Sequence, residues 1–294
     1  MNACVLLLAL IVGTWNGNWF PSGRAEHRDT PENEAKTIAA AAEMLRKGLE
    51  ELDPERKEEV VLCLNEMRGP RVVSNLVAQI GWPKLRPAIV TGYRRRDRFD
   101  QQQDAIVTTL PVASAHWSVY RHGKKGEVTP PRGYAYIAIA VSDLANPSNF
   151  PGLSEFRVYC THLKSEYGAT TEELKRQNRL KRARAVEQIL ETEKPPRKKG
   201  APRSAVVLAG DINADFSQAT FRADTLFATL EQAGFANPLA ELAPGDRNTH
   251  PSKRYGPSTL DYIFCRELPK PERIYIAPRC SASDHRALFY QFNL

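Results

Sequence analysis

Residues 205–213 read Ala205-Val206-Val207-Leu208-Ala209-Gly210-Asp211-Ile212-Asn213. The first five residues form an apolar run of the length that predicts a buried strand. A glycine, a carboxylate and an amide follow directly, so the strand delivers polar groups where it ends. A plain turn also fits these residues, because an aspartate beside a glycine favours turns. The stretch predicts a strand of an α/β protein and leaves both roles of Asp211 open.

Two later stretches repeat this arrangement of an acid beside apolar residues. One is Leu260-Asp261-Tyr262-Ile263-Phe264, and the other is Ser283-Asp284-His285, which precedes the apolar run 287–290. Asp261 needs a partner because a carboxylate is costly to bury among apolar side chains, and the imidazole of His285 is the natural one. The three stretches together offer carboxylates, an amide and an imidazole. That set suits a hard divalent cation and a phosphate better than an acyl-transfer site.

The composition sets broad limits. The chain has 294 residues, 42% of them hydrophobic, and a formal net charge of +7. This length accommodates one large or two ordinary domains, and the charge favours anionic partners only weakly. The five cysteines are too scattered for a disulfide framework, and no CxxC spacing indicates zinc. We expect Cys63, Cys160 and Cys265, which lie in apolar strand-like runs, to be core residues.

The apolar N-terminus has two interpretations. Residues 4–12 are too short to span a bilayer, but they could be the core of a signal peptide. No lysine or arginine precedes them, and no A-x-A cleavage site follows. We therefore favour a first strand over residues 5–15, which leads into Trp15-Asn16. A leader upstream of Met1 is compatible with the same residues, so the sequence assigns no compartment.

Strand and helix patterns alternate along the rest of the chain. Further strands are predicted at 60–64, 88–90, 104–109, 116–120, 134–141 and 156–160. Helices are predicted at 32–51, 72–80, 171–193 and 220–233, and the third has Leu174, Leu180, Ala183, Val186 and Leu190 on its apolar side. A basic, proline-rich loop follows at 193–202. Some gaps between strands are too short for a helical crossover, so we expect mixed sheets in a single α/β domain over residues 1–294.

Three more polar residues are candidates because they lie where predicted strands end. Glu66 follows the strand 60–64, Asn16 follows the first strand, and His162 follows the strand 156–160. Glu66 at a turn is a good ligand position for a metal, although a solvated loop residue is the commoner role. Asn16 beside Gly17 could equally form a turn. A lone histidine such as His162 is more often structural than catalytic, but a strand end favours function.

The order of these motifs resembles the endonuclease/exonuclease/phosphatase superfamily. The matching motifs, spread over about residues 8 to 293, are Trp15-Asn16, Asn65-Glu66, Thr161-His162-Leu163, Gly210-Asp211-Ile212-Asn213, Leu260-Asp261-Tyr262 and Ser283-Asp284-His285. The resemblance implies a four-layer α/β sandwich, with two mixed β-sheets packed face to face and helices on the outer faces. It places the site at one edge of the sandwich.

The resemblance also implies a role for each residue. Glu66 would ligate Mg²⁺ or Mn²⁺ with Asn16 close by, and Asp284 would complete or support this metal site. Asp211 would orient or deprotonate the attacking water, and Asn213 would donate hydrogen bonds to the phosphate. His285, held by Asp261, would polarise the phosphate. His162 would contact the phosphate or protonate the leaving oxygen. Phosphoryl transfer needs these functions: a positioned nucleophile, charge neutralisation and help for the leaving group.

Candidate substrate-binding residues are less specific. They are Arg24 in the loop after Asn16, the run Arg94, Arg95 and Arg96, and Asn248 in Asn248-Thr249-His250. The basic residues in 175–184 alternate with glutamates nearby and fit a solvated helix face. The continuations after Asp211, Asn65 and Thr161 depart from those of inositol 5-phosphatases, apurinic endonucleases and sphingomyelinases, which leaves a generic nuclease-like member.

The sequence thus predicts a metal-dependent phosphodiesterase, monomeric and without a transmembrane segment, that acts on a phosphodiester, above all a nucleic acid. A phosphatase or phosphodiesterase acting on a lipid or small phosphoester is the alternative. A binding protein that keeps the fold without activity is a third reading. It predicts a lost catalytic residue, yet every candidate position holds a competent side chain.

Overall fold

A computed structural model describes residues 9–22, 30–95, 98–99, 102–124, 126–144, 152–193, 203–252 and 256–293. Its strands are β1 (Ala9–Phe20), β2 (Glu59–Met67), β3 (Arg86–Val90), β4 (Arg94–Arg95), β5 (Arg98–Phe99), β6 (Gln103–Thr108), β7 (Ser114–Val119), β8 (Gly133–Ala140), β9 (Leu153–Thr161), β10 (Arg203–Asp211), β11 (His250–Ser252), β12 (Gly256–Ser258), β13 (Asp261–Arg266), β14 (Arg273–Ile276) and β15 (Leu288–Asn293). Its α-helices are α1 (Pro31–Leu52), α2 (Pro70–Ile80), α3 (Glu172–Thr192) and α4 (Leu226–Gln232), and short 3₁₀ helices lie at Val141–Asp143, Ala219–Phe221 and Pro238–Glu241.

Two large sheets carry the fold. The first has the strand order β14-β15-β1-β2-β6-β3, and the second has the order β13-β10-β9-β8-β7. Each contains one parallel pair, β1 with β2 and β9 with β10, among antiparallel neighbours. Both sheets are therefore mixed, as the short gaps between strands predict. The carboxyl ends of the parallel pairs place four strand ends at one edge of the molecule.

The alternation of side chains along β1 and β2 divides the core. Leu10 and Val12 belong to the buried cluster that includes β8, β9 and β10, whereas Ile11 belongs to the cluster that includes α1 and α2. Successive side chains of a strand point to opposite faces, so the first sheet packs the second sheet on one face and these two helices on the other. Helices α3 and α4 contribute Val186 and Leu226 to the cluster of the second sheet. This is the four-layer α/β sandwich that the resemblance implies.

The N-terminal run forms a strand as expected from residue 9 onward. β1 lies between β15 and β2, and its residues 9–16 are buried. Residues 1–8 and most of the basic loop predicted at 193–202 lie outside the described residues. Within the described ranges, no helix combines the length and apolar character needed to cross a membrane.

Two helix predictions need correction. The helix predicted at 220–233 begins only at Leu226, because Asp224 accepts hydrogen bonds from Arg182 Nε and the Leu226 backbone and so holds the preceding residues in a turn. In α3, Leu174 and Leu180 are 48% and 41% exposed, so the apolar side predicted for its first half is wrong. The buried face includes Arg182, whose ion pairs take the place of apolar contacts.

Candidate active site

The predicted functional residues converge where strands of both sheets end. In the first sheet Asn16 is paired in register with Asn65, one residue before Glu66. In the second sheet Asp211 is paired with Asp261, and His162 directly follows β9. Because the parallel strands of each sheet end at the same edge, residues far apart in sequence meet there.

The turn after β10 is shaped by a glycine. Gly210 has a φ of +140°, and a Cβ atom there would lie 1.9 Å from the carbonyl oxygen of Thr161, so only glycine fits. The next residue, Asp211, accepts a hydrogen bond from the Asn213 backbone at Oδ1 (2.9 Å). Asp211 therefore makes the turn predicted for it and keeps Oδ2 directed at the first sheet.

Two carboxylates from different sheets share one amide. Asn16 Nδ2 donates to Asp211 Oδ2 at 2.7 Å and to Glu66 Oε1 at 3.1 Å. The orientation of this amide is fixed because Asn16 Oδ1 accepts from the Asn18 backbone at 2.8 Å. Glu66 Oε2 accepts from the Trp19 backbone and from Gln102 Nε2. Asn16 thus bridges the carboxylates through its nitrogen, while its oxygen points away from them.

His162 faces the same two carboxylates. Its Nε2 lies 3.6 Å from both Glu66 Oε1 and Asp211 Oδ2. Its Nδ1 is buried and has no hydrogen-bond partner among the described residues. Burial and the positive charges of Arg132, His285 and Lys164 lower the pKa of His162 well below its usual value. The imidazole is therefore neutral at pH 7.

His285 and Asp261 form the expected pair. His285 Nδ1 lies 2.8 Å from Asp261 Oδ2, and its Nε2 lies 3.9 Å from Asp211 Oδ2. Although burial opposes the charged form, the carboxylates of Asp261, Asp211 and Asp284 raise the pKa of His285 to about 10. Asp261 is itself held by the hydroxyl of Thr249, which accepts from its backbone N–H at 3.1 Å. His285 is consequently an imidazolium at neutral pH.

The acidic centre of the site fits a divalent cation. Ligand atoms of Glu66, His162 and Asp211 lie within 4.8 Å of one another, and all three residues are buried. Burial and the charges of Asp261 and Glu66 raise the pKa of Asp211 to about 7, against the favourable effects of His285 and Asn16. A cation between the carboxylates would relieve this repulsion. Two carboxylates that leave room for water are the donor set that Mg²⁺ prefers.

Asp284 lies apart from this acidic centre. Its side chain is 45% exposed, and Oδ2 lies 3.5 Å from His250 Nε2. Its possible ligand atoms group with those of His250 and His285, whereas Glu66 groups with His162 and Asp211. The ring of His250 lies 4.7 Å from that of His285. Asp284 therefore neighbours His285 from the solvent side.

The candidate substrate-binding residues are placed only in part. Arg94 is exposed and lies in the connection from β3 to β6, which leaves the sheet beside Glu66. The side chain of Arg95, and Arg24 and Arg96 altogether, lie outside the described residues. Asn248 is half-buried near Thr249, and its backbone oxygen accepts from Arg286 while its side-chain oxygen has no partner among the described residues.

Sequence reasoning gave Asn65 no role of its own. Its Oδ1 accepts from the Asp211 backbone (2.9 Å), and its Nδ2 donates to Asp104 Oδ1 (2.7 Å). Asp104 is fully buried and also accepts from the hydroxyl of Tyr93 (3.1 Å). This chain of hydrogen bonds joins the two sheets at the site. A polar residue inside an otherwise apolar strand was the signal that could have revealed it.

Fold and site together define a phosphoester hydrolase of the DNase-like class. The model of the Endonuclease/Exonuclease/phosphatase family matches residues 13–285. The chain therefore belongs to this family, as its motifs indicate. No curated protein matches the sequence significantly.

Solved structures of the same fold share little sequence with this chain. An endonuclease/exonuclease/phosphatase from Beutenbergia cavernae has 17% identity and a TM-score of 0.63, over 98% of this chain and 72% of its own. TDP2 from D. rerio, complexed with a single-strand DNA product, has 15% identity and a TM-score of 0.60, over 97% and 99%. Sphingomyelinase C from Streptomyces griseocarneus has 15% identity and a TM-score of 0.56, over 97% and 99%. At such identities the likeness concerns the fold alone.

Proposed function

We propose that the protein is a divalent-metal-dependent phosphodiesterase whose substrate is a nucleic acid. The observation that carries the proposal is the convergence of Glu66 Oε1 and Asp211 Oδ2 on one amide nitrogen, between His162 and His285. Two buried carboxylates and two imidazoles, from three strand ends and the turn before β15, form a costly arrangement for stability alone. Phosphoester hydrolysis uses all four groups.

Glu66 and Asp211 would hold Mg²⁺ or Mn²⁺. When bound, such an ion neutralises charge on the phosphate oxygens and makes water a better nucleophile. Asn16 keeps the two carboxylates at a fixed separation, and Gln102 and the Trp19 backbone fix the second oxygen of Glu66. Asp284 adds negative charge next to His285 and supports the site from outside.

The remaining groups divide the work on the phosphate. Asp211 can orient an attacking water and accept its proton through a carboxylate oxygen. Asn213 Nδ2 donates one hydrogen to Leu163 O at 3.2 Å and has a second to offer to a phosphate oxygen. The imidazolium of His285 stabilises the developing negative charge. His162 donates a hydrogen bond as a neutral imidazole on the other side.

Two observations favour a nucleic acid over a lipid or small phosphoester. The chain carries a formal charge of +7, and the exposed Arg94 lies in the connection from β3 to β6, whose far end is paired with β2 at Met67, the residue after Glu66. Positive side chains raise the affinity for a polyanion through contacts with several of its phosphates. Among proteins of this fold, TDP2 is seen with a DNA product and sphingomyelinase C is named for a lipid, so both classes belong in the test.

A substrate panel tests the proposal. Purified protein with Mg²⁺ or Mn²⁺ should nick plasmid DNA or shorten oligonucleotides, and EDTA should stop the reaction. His285→Ala should abolish cleavage, whereas the surface variant Arg184→Gln should cleave like the wild type. Hydrolysis of sphingomyelin or an inositol phosphate without any nucleic acid cleavage would replace the nuclease with the lipid or small-phosphoester alternative. Inactivity on the whole panel would refute the phosphodiesterase.

A further inference from the structure

The last strand of the second sheet carries an exposed aromatic side chain. Trp117 on β7 is 39% exposed, whereas Trp15 and Trp82 are buried in the core. β7 is paired on one side, with β8, and stands at the end of its sheet. Val119 lies on the same face of β7 two residues later and is also exposed. An exposed tryptophan next to a second exposed apolar residue is a candidate contact surface.

The indole of Trp117 packs against the segment that follows β3 in the first sheet. Its ring centroid lies 5.8 Å from that of Tyr93, at an interplanar angle of 88°. A Cβ atom on Gly92 would lie 3.1 Å from Trp117 Cζ2, so the missing side chain lets the indole lie on the backbone. Tyr93 is fixed because its hydroxyl donates to Asp104 Oδ2 at 3.1 Å. One side of the indole is thus held by the protein, while the rest is open to solvent.

Strand register places Trp117 near the edge of the sandwich that carries the active site. Trp117 is paired with Ala135, and Ala135 is paired with Cys160, two residues before His162. Two strand spacings and two residues along the chain therefore separate Trp117 from His162, about 12 Å. Side chains paired across strands share a face, and Cys160 Sγ accepts from Asn65 Nδ2 of the first sheet. The indole therefore lies on the face that bears the active site, at a distance that a few nucleotides span.

Positive charge is concentrated around this surface. The segments 84–99 and 110–126, which contain the edge strands β3 and β7, hold nine lysines and arginines and one acid, Asp97. The whole chain has 41 lysines and arginines against 34 acids, so these two segments account for its positive net charge. The exposed Arg94 directly follows Tyr93. A polyanion complements this surface, whereas a second copy of the chain would bring the same positive charge to it.

An aromatic ring on a basic surface fits a nucleobase. Every base has a flat face that stacks on an indole, and the contact requires no particular base sequence. Inside a duplex the faces of each base are covered by its neighbours, so a single strand or an unpaired end offers such a face more readily. A small phosphoester without an aromatic group would leave the indole unused.

We propose that Trp117 is a stacking platform for a base of a single-stranded nucleic acid, with Arg94 beside it contacting the backbone of the same strand. This inference rests on the proposed function and specifies its substrate: a single strand, or a duplex end with unpaired nucleotides, is preferred to a closed duplex. The stacked base belongs to a nucleotide a short way along the strand from the scissile phosphate. Such a strand is held by stacking as well as by charge, and only the contribution of charge depends strongly on salt.

Binding to matched oligonucleotides tests the platform without relying on turnover. The ligands are a fluorescein-labelled oligothymidylate, an abasic strand of the same length and a blunt duplex, titrated in EDTA and followed by anisotropy. Trp117→Ala should bind the oligothymidylate about 30-fold more weakly than the wild type, the stacking contribution of one base. The abasic strand and the duplex should bind both proteins equally. The slope of log affinity against log salt should be unchanged in Trp117→Ala, because stacking releases no counterions.

Matched variants separate stacking from folding and from charge. Trp117→Phe keeps an aromatic face and should retain most of the affinity. Trp117→Leu keeps an apolar side chain against Gly92 but should lose as much affinity as Trp117→Ala. Leu174→Ala removes an exposed apolar side chain on α3 and should bind like the wild type. Arg94→Gln should weaken binding of the abasic strand as well, and it should make the salt slope shallower by about 0.7.

The outcomes separate this inference from the proposed function. Equal affinity of Trp117→Leu and the wild type for the oligothymidylate would overturn the platform, as would a wild type that binds neither strand. Self-association that depends on Trp117, measured by sedimentation, without a base-dependent change in affinity would assign the surface to a second copy of the chain instead. Binding that depends on Trp117 and on the bases, without hydrolysis of any nucleic acid, would overturn the proposed activity and leave the platform standing.

Discussion

The protein buries two groups of charged residues that differ in how well their charges are matched. In the Arg182 cluster, formed by Arg182, Asp224 and Glu166, the guanidinium donates to both carboxylates and to Lys164 O, so each of its nitrogens has a partner. The acidic cluster at the strand ends, formed by Glu66, His162, Asp211, Asp261 and His285, is different. It leaves His162 Nδ1 and Asp261 Oδ1 buried without partners among the described residues.

This difference separates a structural role from a functional one. A buried charge whose hydrogen bonds are complete fixes one conformation of the chain, and in the Arg182 cluster it fixes the segment after His162 and the start of α4. A buried cluster with surplus negative charge and unused polar atoms is instead prepared for something that is not part of the chain. Burial alone therefore does not identify a site.

The largest effect is expected from Asp211→Asn. We expect kcat to fall about 10³-fold, because the variant can neither accept a proton nor hold a cation as well. The free energy of unfolding at pH 8 should not fall. Because the pKa of Asp211 is raised in the folded state, ionisation of its carboxyl above about pH 4 lowers the free energy of unfolding. A neutral amide at this position removes that destabilisation. Phosphodiesterase rates measure the change in kcat, and thermal unfolding measures the change in stability. A large loss of stability in Asp211→Asn would mean that the acidic cluster, like the Arg182 cluster, serves the fold.

Asp224→Ala should show the opposite behaviour. Removing one partner of the buried Arg182 should lower the free energy of unfolding by about 3 kcal/mol, as expected for a broken buried ion pair. Activity per folded molecule should change little at a temperature where the variant is folded. Urea unfolding and active-site-normalised rates test this. Full stability with lost activity would assign the Arg182 cluster to catalysis.

Asp261→Asn should lower kcat about 10²-fold, because it removes the carboxylate that orients His285 and keeps it protonated. The pH dependence should also change. The raised pKa of His285 gives the folded state stability that is complete below about pH 6.5 and is lost as the pH rises towards 10. In Asp261→Asn the pKa of His285 should be lower, so this stabilising contribution should be lost at a lower pH than in the wild type. If the free energy of unfolding changes between pH 6 and pH 9 by the same amount in Asp261→Asn as in the wild type, Asp261 is not the group that raises the pKa of His285.

The smallest effect concerns the metal. At a Mg²⁺ concentration of ten times the dissociation constant, binding to the acidic cluster should stabilise the wild type by about 1.4 kcal/mol. Glu66→Gln should lose this increment, and Asp224→Ala should keep it, since only the acidic cluster would hold the ion. Thermal unfolding with EDTA or Mg²⁺ provides the comparison. Equal stabilisation of Glu66→Gln and the wild type would place the ion elsewhere.

Much of the acidic cluster could be predicted because its residues stand at the ends of apolar strands. Asn16, Glu66, His162 and Asp211 meet because the carboxyl ends of the parallel strands lie at one edge, and the turn before β15 brings His285 to them. Arg132, whose positive charge lowers the pKa of His162, had no such signal, since its position depends on a strained turn and on contacts with distant segments.

The limits of prediction also show in α3 and at Asp284. Leucines at helical spacing predicted a buried face over the first half of α3, but the ion pairs of Arg182 turn a different face inward. The resemblance implied that Asp284 would complete or support the metal site, and sequence spacing did not indicate the contact of its carboxylate with His250. Sequence spacing predicts which residues share one face of a helix or strand. The partner of a charged side chain depends on tertiary contacts between distant segments, which spacing does not predict.

The Asn65 side chain has a consequence for motion. It bonds Asp104 within its own sheet and the Asp211 amide in the other, so it resists sliding of one layer over the other at this edge. Layers of a sandwich slide most easily where only apolar groups meet, because such contacts have no preferred direction. The Asp211 amide hydrogen should then exchange with solvent only in rare, global openings. This edge of the sandwich would then open as rarely as the core itself.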